Sequence, residues 1–223
     1  MEIQVMEDIL GRNDQIAAEN QQLLASKGIF ALNLLGSPGS GKTSLLEKTM
    51  ARLKQKFSLA VIEGDLFTSK DADRIAIHGV PVIQINTSGG CHLDAQMVRE
   101  VLGQLDLEAL DLLIIENVGN LVCPAEFNVG EDEKAVVLSI TEGDDKPLKY
   151  PLVFKESAAA VLNKTDLLPY TNFDLVAAGA DIRAIHPGIE VLEVSCSQDQ
   201  GLEAWIDWLC QRVDAKKTGG DRA

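Results

Sequence analysis

The chain has 223 residues, with 20 Lys and Arg against 34 Asp and Glu and a formal net charge of −14 at pH 7. That length suffices for one α/β domain with a sizeable core, and the acidic balance excludes a general nucleic-acid binder, which presents a basic face. The four scattered cysteines make no disulfide framework; with no signal-peptide pattern at the start and no apolar run near the ~18 residues of a membrane span, a cytoplasmic chain with no membrane or nucleic-acid partner is expected.

Val5, Ile9, Leu10, Ile16, Leu23 and Leu24 are spaced as one helical face, which predicts an amphipathic helix over residues 5–27. Residues 30–35 form an apolar run that reads as a buried strand, and residues 44–50 read as a helix. A strand over 58–63, a short helix around 72–77, a strand over 80–85 and a helix over 93–102 follow. Residues 112–116 form an apolar strand that ends on a carboxylate. Apolar runs at 135–140 and 159–162, a strand over 191–194 and a helix over 202–213 complete the pattern. Continuous apolar strands between helices imply an α/β fold of the P-loop NTPase type, a doubly wound, mostly parallel sheet with helices on both faces. The expected organisation is an N-terminal helix over 1–28, one nucleotide-binding domain over 29–215 and a disordered Gly-rich tail over 216–223.

Between the first strand and the next helix stands Gly36-Ser37-Pro38-Gly39-Ser40-Gly41-Lys42-Thr43, followed by Ser44. This is a complete G-x-x-x-x-G-K-[ST] loop in the strand–loop–helix context that it needs. Small residues let backbone N–H groups point at phosphate oxygens, Lys42 reaches the β/γ-phosphates, and the Thr43 hydroxyl can ligate Mg²⁺. After the 159–162 run comes Asn163-Lys164-Thr165-Asp166. A carboxylate at Asp166 accepts from guanine N1–H and N2–H₂, a donor pair that adenine lacks. Asn163 can serve the other edge of the base, and the Lys164 stem its face. Together the two motifs favour GTP/GDP over adenine nucleotides. Ser195, after the last strand, is placed like a third base-contacting loop. Glu116 and Asp65, each at a strand end, are the expected Mg²⁺-shell acids, counted with Lys42 as catalytic. Gly119 would let a backbone N–H approach the γ-phosphate. No arginine finger is identified; Arg74 and Arg99 are the candidates.

Cys91-His92 and Cys123 form a second constellation. Two thiolates and an imidazole suit Zn²⁺ or Ni²⁺, and Cys91 sits just before a predicted helix, whose dipole favours thiolate. Spacing alone leaves open a buried structural thiol at Cys123 and a helix-capping His92. Cys123 lies four residues after Gly119, so a loop that feels the γ-phosphate would also carry a metal ligand, and hydrolysis could change metal affinity.

These residues together resemble the HypB family of hydrogenase nickel-incorporation GTPases. The resemblance is carried by the phosphate loop, Glu63-Gly64-Asp65, Asp71-Ala72-Asp73-Arg74, Gly90-Cys91-His92-Leu93-Asp94, Glu116-Asn117-Val118-Gly119-Asn120-Leu121-Val122-Cys123-Pro124, Thr141-Glu142-Gly143-Asp144-Asp145-Lys146 and Asn163-Lys164-Thr165-Asp166. It implies Mg²⁺-dependent GTP hydrolysis coupled to nickel delivery into a [NiFe]-hydrogenase large-subunit precursor. It further implies Cys91, His92 and Cys123 as a Ni²⁺ or Zn²⁺ site near a homodimer interface, and a HypA-type nickel metallochaperone as partner. Some family members carry an N-terminal nickel cluster; residues 1–30 contain no cysteine and no histidine, so metal handling is expected to fall on Cys91, His92 and Cys123 alone. Two alternatives remain at this stage, a metal-responsive GTP-binding regulator with little turnover and a GTPase maturing another metalloenzyme such as urease.

Overall fold

The computed structural model describes residues 2–66 and 70–220, with side chains over 10–66 and 70–219. Among the described residues, seven strands form one sheet: β1 (Phe30–Gly36), β2 (Leu59–Asp65), β3 (Val82–Asn86), β4 (Leu112–Glu116), β5 (Glu133–Ser139), β6 (Ala159–Asn163) and β7 (Glu190–Val194). Their order is β3-β2-β4-β1-β5-β6-β7. Every neighbouring pair is parallel, so the sheet is wholly rather than mostly parallel.

The helices are α1 (Glu2–Ser26), α2 (Lys42–Leu53), α3 (Lys70–Ala76), α4 (Ala95–Leu102), α5 (Cys123–Glu126), α6 (Lys146–Lys149), α7 (Pro151–Lys155), α8 (Leu175–Ile185) and α9 (Leu202–Gly220). Strand alternation sorts them onto two faces. Phe30, Leu32 and Leu34 pack with Leu45, Met50 and Trp205 under α2 and α9. Ala31 and Leu113 face the opposite way, against Leu24 of α1 and Val98 of α4. Further along that second face, Val136 and Leu162 meet Phe154 of α7 and Ile182 of α8. The apolar-run reading passes over α8, which rests on an Asp174 N-cap accepting from Val176 and Ala177.

α1 is built into this domain. Asn20 Nδ2 donates to the Ala95 carbonyl at 2.8 Å and the Val129 carbonyl at 3.0 Å. Asn13 Oδ1 accepts from Ala95 N–H at 2.9 Å, at the start of α4. The side chains of Val5 and Ile9, expected on the helix's apolar face, lie outside the described residues. The tail departs from its expected disorder, because α9 continues through Gly220. Lys216 pairs with Asp132 and Lys217 with Asp111, each at 2.6 Å, and these contacts hold the last turns against the domain. Residues 221–223 lie outside the described residues. No helix among the described residues is long and apolar enough to cross a membrane.

Candidate nucleotide and metal sites

The candidate residues gather at the C-terminal ends of the strands, where open parallel sheets bind ligands. The phosphate loop links β1 to α2 through a backbone that only glycine tolerates at its ends. Gly36 has φ 151°, and a Cβ there would lie 2.4 Å from the Val137 carbonyl oxygen. Gly41 has φ 97°, and its Cβ would lie 2.3 Å from Asn163 Nδ2. Lys42 Nζ folds back onto the carbonyls of Gly36 at 3.2 Å and Ser37 at 3.4 Å. Burial pushes its pKa down, opposed by Glu116 and other nearby acids. Ser37 Oγ donates to Glu142, while the Ser40 hydroxyl is buried without a hydrogen-bond partner.

A cleft of about 400 Å³ opens beside this loop, lined by Lys42, Thr43, Glu63, Asp65 and Glu116 among others. Strand period explains why three acids meet there. On β2, Leu59 and Val61 face α2, so Glu63 and Asp65 follow on the same face. On β4, Leu112 and Ile114 do the same, which aims Glu116 at α2. Glu63 and Glu116 are register partners across the β2–β4 ladder. Thr43 Oγ1 donates to Glu116 Oε1 at 2.9 Å. Glu116 is 4% exposed and Glu63 2%, and each leaves its Oε2 buried without a partner. Burial raises the Glu116 pKa to about 7, with Lys42 and the Thr43 hydroxyl pulling the other way. Burial raises the Glu63 pKa to about 8, reinforced by the charges of Glu116 and Asp65. Orphaned carboxylate oxygens beside a threonine hydroxyl are the hard-oxygen donor set of Mg²⁺.

The base-reading candidates line a neighbouring pocket of about 320 Å³ that includes Asp166, Lys164 and Cys196. Ser195 Oγ donates to Asp166 Oδ1 at 2.6 Å, and this bond chiefly holds the Asp166 carboxyl below its usual range. Asn163 also touches the phosphate loop. It is 1% exposed, its Nδ2 donates to the Ser40 carbonyl at 3.0 Å, and its Oδ1 accepts from Lys164 N–H at 2.8 Å. Asn163 therefore braces the phosphate loop, with a second Nδ2 hydrogen still available to donate. Lys164 Nζ donates to the Gly39 carbonyl at 2.6 Å, which lays its stem beside the pocket.

Cys91, His92 and Cys123 converge, their ligand atoms all within 4.8 Å of one another. The chain bends at both Cys91 and His92, so adjacent side chains reach one point. Neither half of the structural-thiol reading holds. Asp94, not His92, caps α4, accepting from Met97 N–H at 2.7 Å, and Cys123 is only half-buried. The expected dipole effect on Cys91 is absent, because α4 starts only at Ala95. The Cys91 thiol is instead raised, first by its hydrogen bond with Cys123 and then by burial. Burial lowers the His92 pKa, and its ring packs on Phe127 with centroids 4.0 Å apart. A neutral imidazole between two thiols, with Cys91 exposed, is a three-donor surface site for a soft or borderline cation.

The model of the CobW/HypB/UreG nucleotide-binding domain matches residues 30–193. The hydrogenase maturation factor HypB of Azotobacter vinelandii is 52% identical over 207 residues, covering 93% of this chain and 68% of that protein. That of Escherichia coli K12 is 49% identical, covering 93% and 71%. The crystal structure of HypB from Helicobacter pylori in complex with nickel superposes with a TM-score of 0.87 at 39% identity, covering 92% of this chain and 97% of that one.

The chain belongs to the HypB family. Its seven-stranded parallel sheet is that of the P-loop NTPase fold. Within this HypB domain, sequence reading missed Glu63 as a cleft residue, although stepping back two positions from Asp65 along the strand would have found it. Arg74 also lines the cleft, bonded to Ser44 Oγ at 3.1 Å and to Glu47 at 2.6 Å. Arg99, the other arginine considered, pairs with Glu19 on the outer surface of α4 and α1.

Proposed function

We propose that this HypB domain hydrolyses GTP to GDP and phosphate and hands nickel to a [NiFe]-hydrogenase large-subunit precursor, with nucleotide state felt at Cys91, His92 and Cys123. One observation carries this reading: residues 116–123 begin at the acid bonded to Thr43 and end at a donor of the Cys–His–Cys cluster. Asp166, kept ionised by Ser195, selects guanine. Lys42 leaves its carbonyl partners for the incoming phosphates, because a charge-assisted bond to phosphate is stronger than one to a neutral carbonyl. The loop amides and Lys42 then counter the charge that develops on the transferred phosphoryl group. Thr43, Glu116 and Asp65 would hold Mg²⁺, which would supply positive charge to neutralise the phosphates. Gly119 presents its N–H toward the γ-phosphate.

Nickel is the cargo, and Zn²⁺ suits the same donors. Three donors leave a coordination position open, which favours transfer over storage and lets a second copy of the chain, a HypA-type metallochaperone or the precursor complete the sphere. The test is a Ni²⁺ titration of the GDP form and the GTP-analogue form, with Cys123→Ala as control. The reading requires an affinity that differs between the two forms and collapses in the variant. Equal affinities, or an indifferent variant, would leave the cysteines without a role in delivery.

A further inference from the structure

We infer that Asn120 is the positioning residue that transmits nucleotide state to the metal site, an inference that rests on the coupling proposed above. Its backbone N–H donates to the Gly36 carbonyl at 3.0 Å, an isolated bridge between the phosphate loop and the 116–123 segment. Its side-chain Nδ2 donates to the Cys91 carbonyl at 3.3 Å. Its Oδ1 accepts from Val122 N–H at 2.9 Å, closing the turn that delivers Cys123 to the first position of α5. One residue is thus bonded to the phosphate loop, to the peptide of one metal donor and to the turn carrying another.

The Gly36 carbonyl gives this arrangement two states. It accepts from both Asn120 N–H and Lys42 Nζ. Once phosphate draws Lys42 away, Asn120 N–H is left as its partner, and that bond tightens. The 119–120 peptide packs closely on the phosphate loop, since a Cβ at Gly119 would stand only 2.9 Å from Pro38 N, and close-packed contacts transmit displacement. Asn117 does not share this role. Its Oδ1 accepts from Leu93 N–H and its Nδ2 donates to Asn33, both buried, so it anchors the segment to the sheet without touching the phosphate loop through its side chain. A shift of Asn120 moves the Cys91 peptide relative to Cys123. Metal–thiolate bonds are held near ~2.3 Å, so a few tenths of an ångström between two thiolates changes affinity.

Asn120→Ser separates transmission from folding. A serine hydroxyl can still accept from Val122 N–H in a local turn, but it is too short to reach the Cys91 carbonyl. Asn120→Asp is the second variant, retaining the acceptor and losing the Nδ2 donor. Nickel affinity is read in the full chain from the thiolate-to-nickel absorption band, with GDP and with a GTP analogue, alongside thermal melts. In the wild type the two affinities should differ by roughly five- to 150-fold, the usual range for coupled sites. In both variants the ratio should fall toward one, while guanine-nucleotide affinity stays within about threefold and the absorption band persists. A wild-type ratio retained in Asn120→Ser and Asn120→Asp would overturn the inference and leave the coupling intact. A wild-type ratio of one would overturn the coupling itself, and this inference with it.

Discussion

Replacing Gly119 with alanine probes how tightly the phosphate loop and the segment leading to Cys123 are pressed together. A Cβ at this position would lie 2.9 Å from Pro38 N and 3.0 Å from both Pro38 Cα and Cγ. Relaxed contacts of this kind sit at about 3.5 Å or more, so about half an ångström must be taken up. Two of the three atoms are backbone, and the proline ring prevents rotation about φ. Overpacking of this kind costs about 1–3 kcal/mol. Gly119 is not among the positive-φ residues, so alanine adds no left-handed strain there and regains about 0.4–1 kcal/mol by restricting the unfolded chain. The net loss should be about 1–2 kcal/mol, a fall in Tm of about 3–6 °C for a chain of this size. Where the loop yields, affinity for a fluorescent GDP analogue should drop about tenfold, since about 1.4 kcal/mol is a decade. The assays are a thermal melt and a fluorescence titration. A variant with wild-type Tm and wild-type GDP affinity would refute the packing argument.

Asp166→Asn removes a charged acceptor pair whose bonds are each worth about 1.5–3 kcal/mol; GTP affinity should fall at least tenfold and that for xanthosine triphosphate, which carries an oxygen where guanine carries an amine, should rise. Unchanged GTP binding would show that the base is read elsewhere. The pKa values of Glu63 and Glu116 are raised to about 8 and about 7, so the folded protein retains protons that the unfolded chain releases above the ordinary value of 4.5. Stability is therefore greatest below about pH 4.5 as far as these two groups decide it, and is lost as pH rises through about 7 and 8. Urea melts of the nucleotide-free protein should lose about 3 kcal/mol between about pH 6 and pH 8, and Mg²⁺ with GDP should flatten that slope; a flat apo profile would count against the paired burial. Lys134→Met leaves Glu131 with its side chain 4% exposed and stripped of its 3.4 Å partner, which should cost about 3 kcal/mol in urea melts with nucleotide affinity unchanged. Stability equal to wild type would show that Asn33 and Val129 N–H suffice for Glu131.

The strands and the phosphate loop were legible in the sequence because their signals are local. A glycine's backbone freedom, a lysine next to a hydroxyl and an unbroken apolar run act over a few neighbouring residues, and the run at 112–116 coincides with β4. Short helices escaped, since α6 and α7 span only 4 and 5 residues and are held by packing rather than by propensity. The end of α9 escaped for the same reason, its last turns being fastened by lysines to acids more than eighty residues away in sequence.

By itself, the sequence determined which chemistry is present: a phosphate loop, an Asn-Lys-Thr-Asp tetrapeptide after a strand, strand-end acids and two cysteines with a histidine. Only the tertiary structure decided what those groups do to one another. Whether Glu63 joins Glu116 depends on the register between β2 and β4, and Asn163 is claimed by the Ser40 carbonyl 123 positions away in the chain. Cys91 meets Cys123 because parallel strands bring their following loops to the same edge of the sheet. Such pairings are settled by which strands lie side by side and in what register, and no local pattern of residues specifies that.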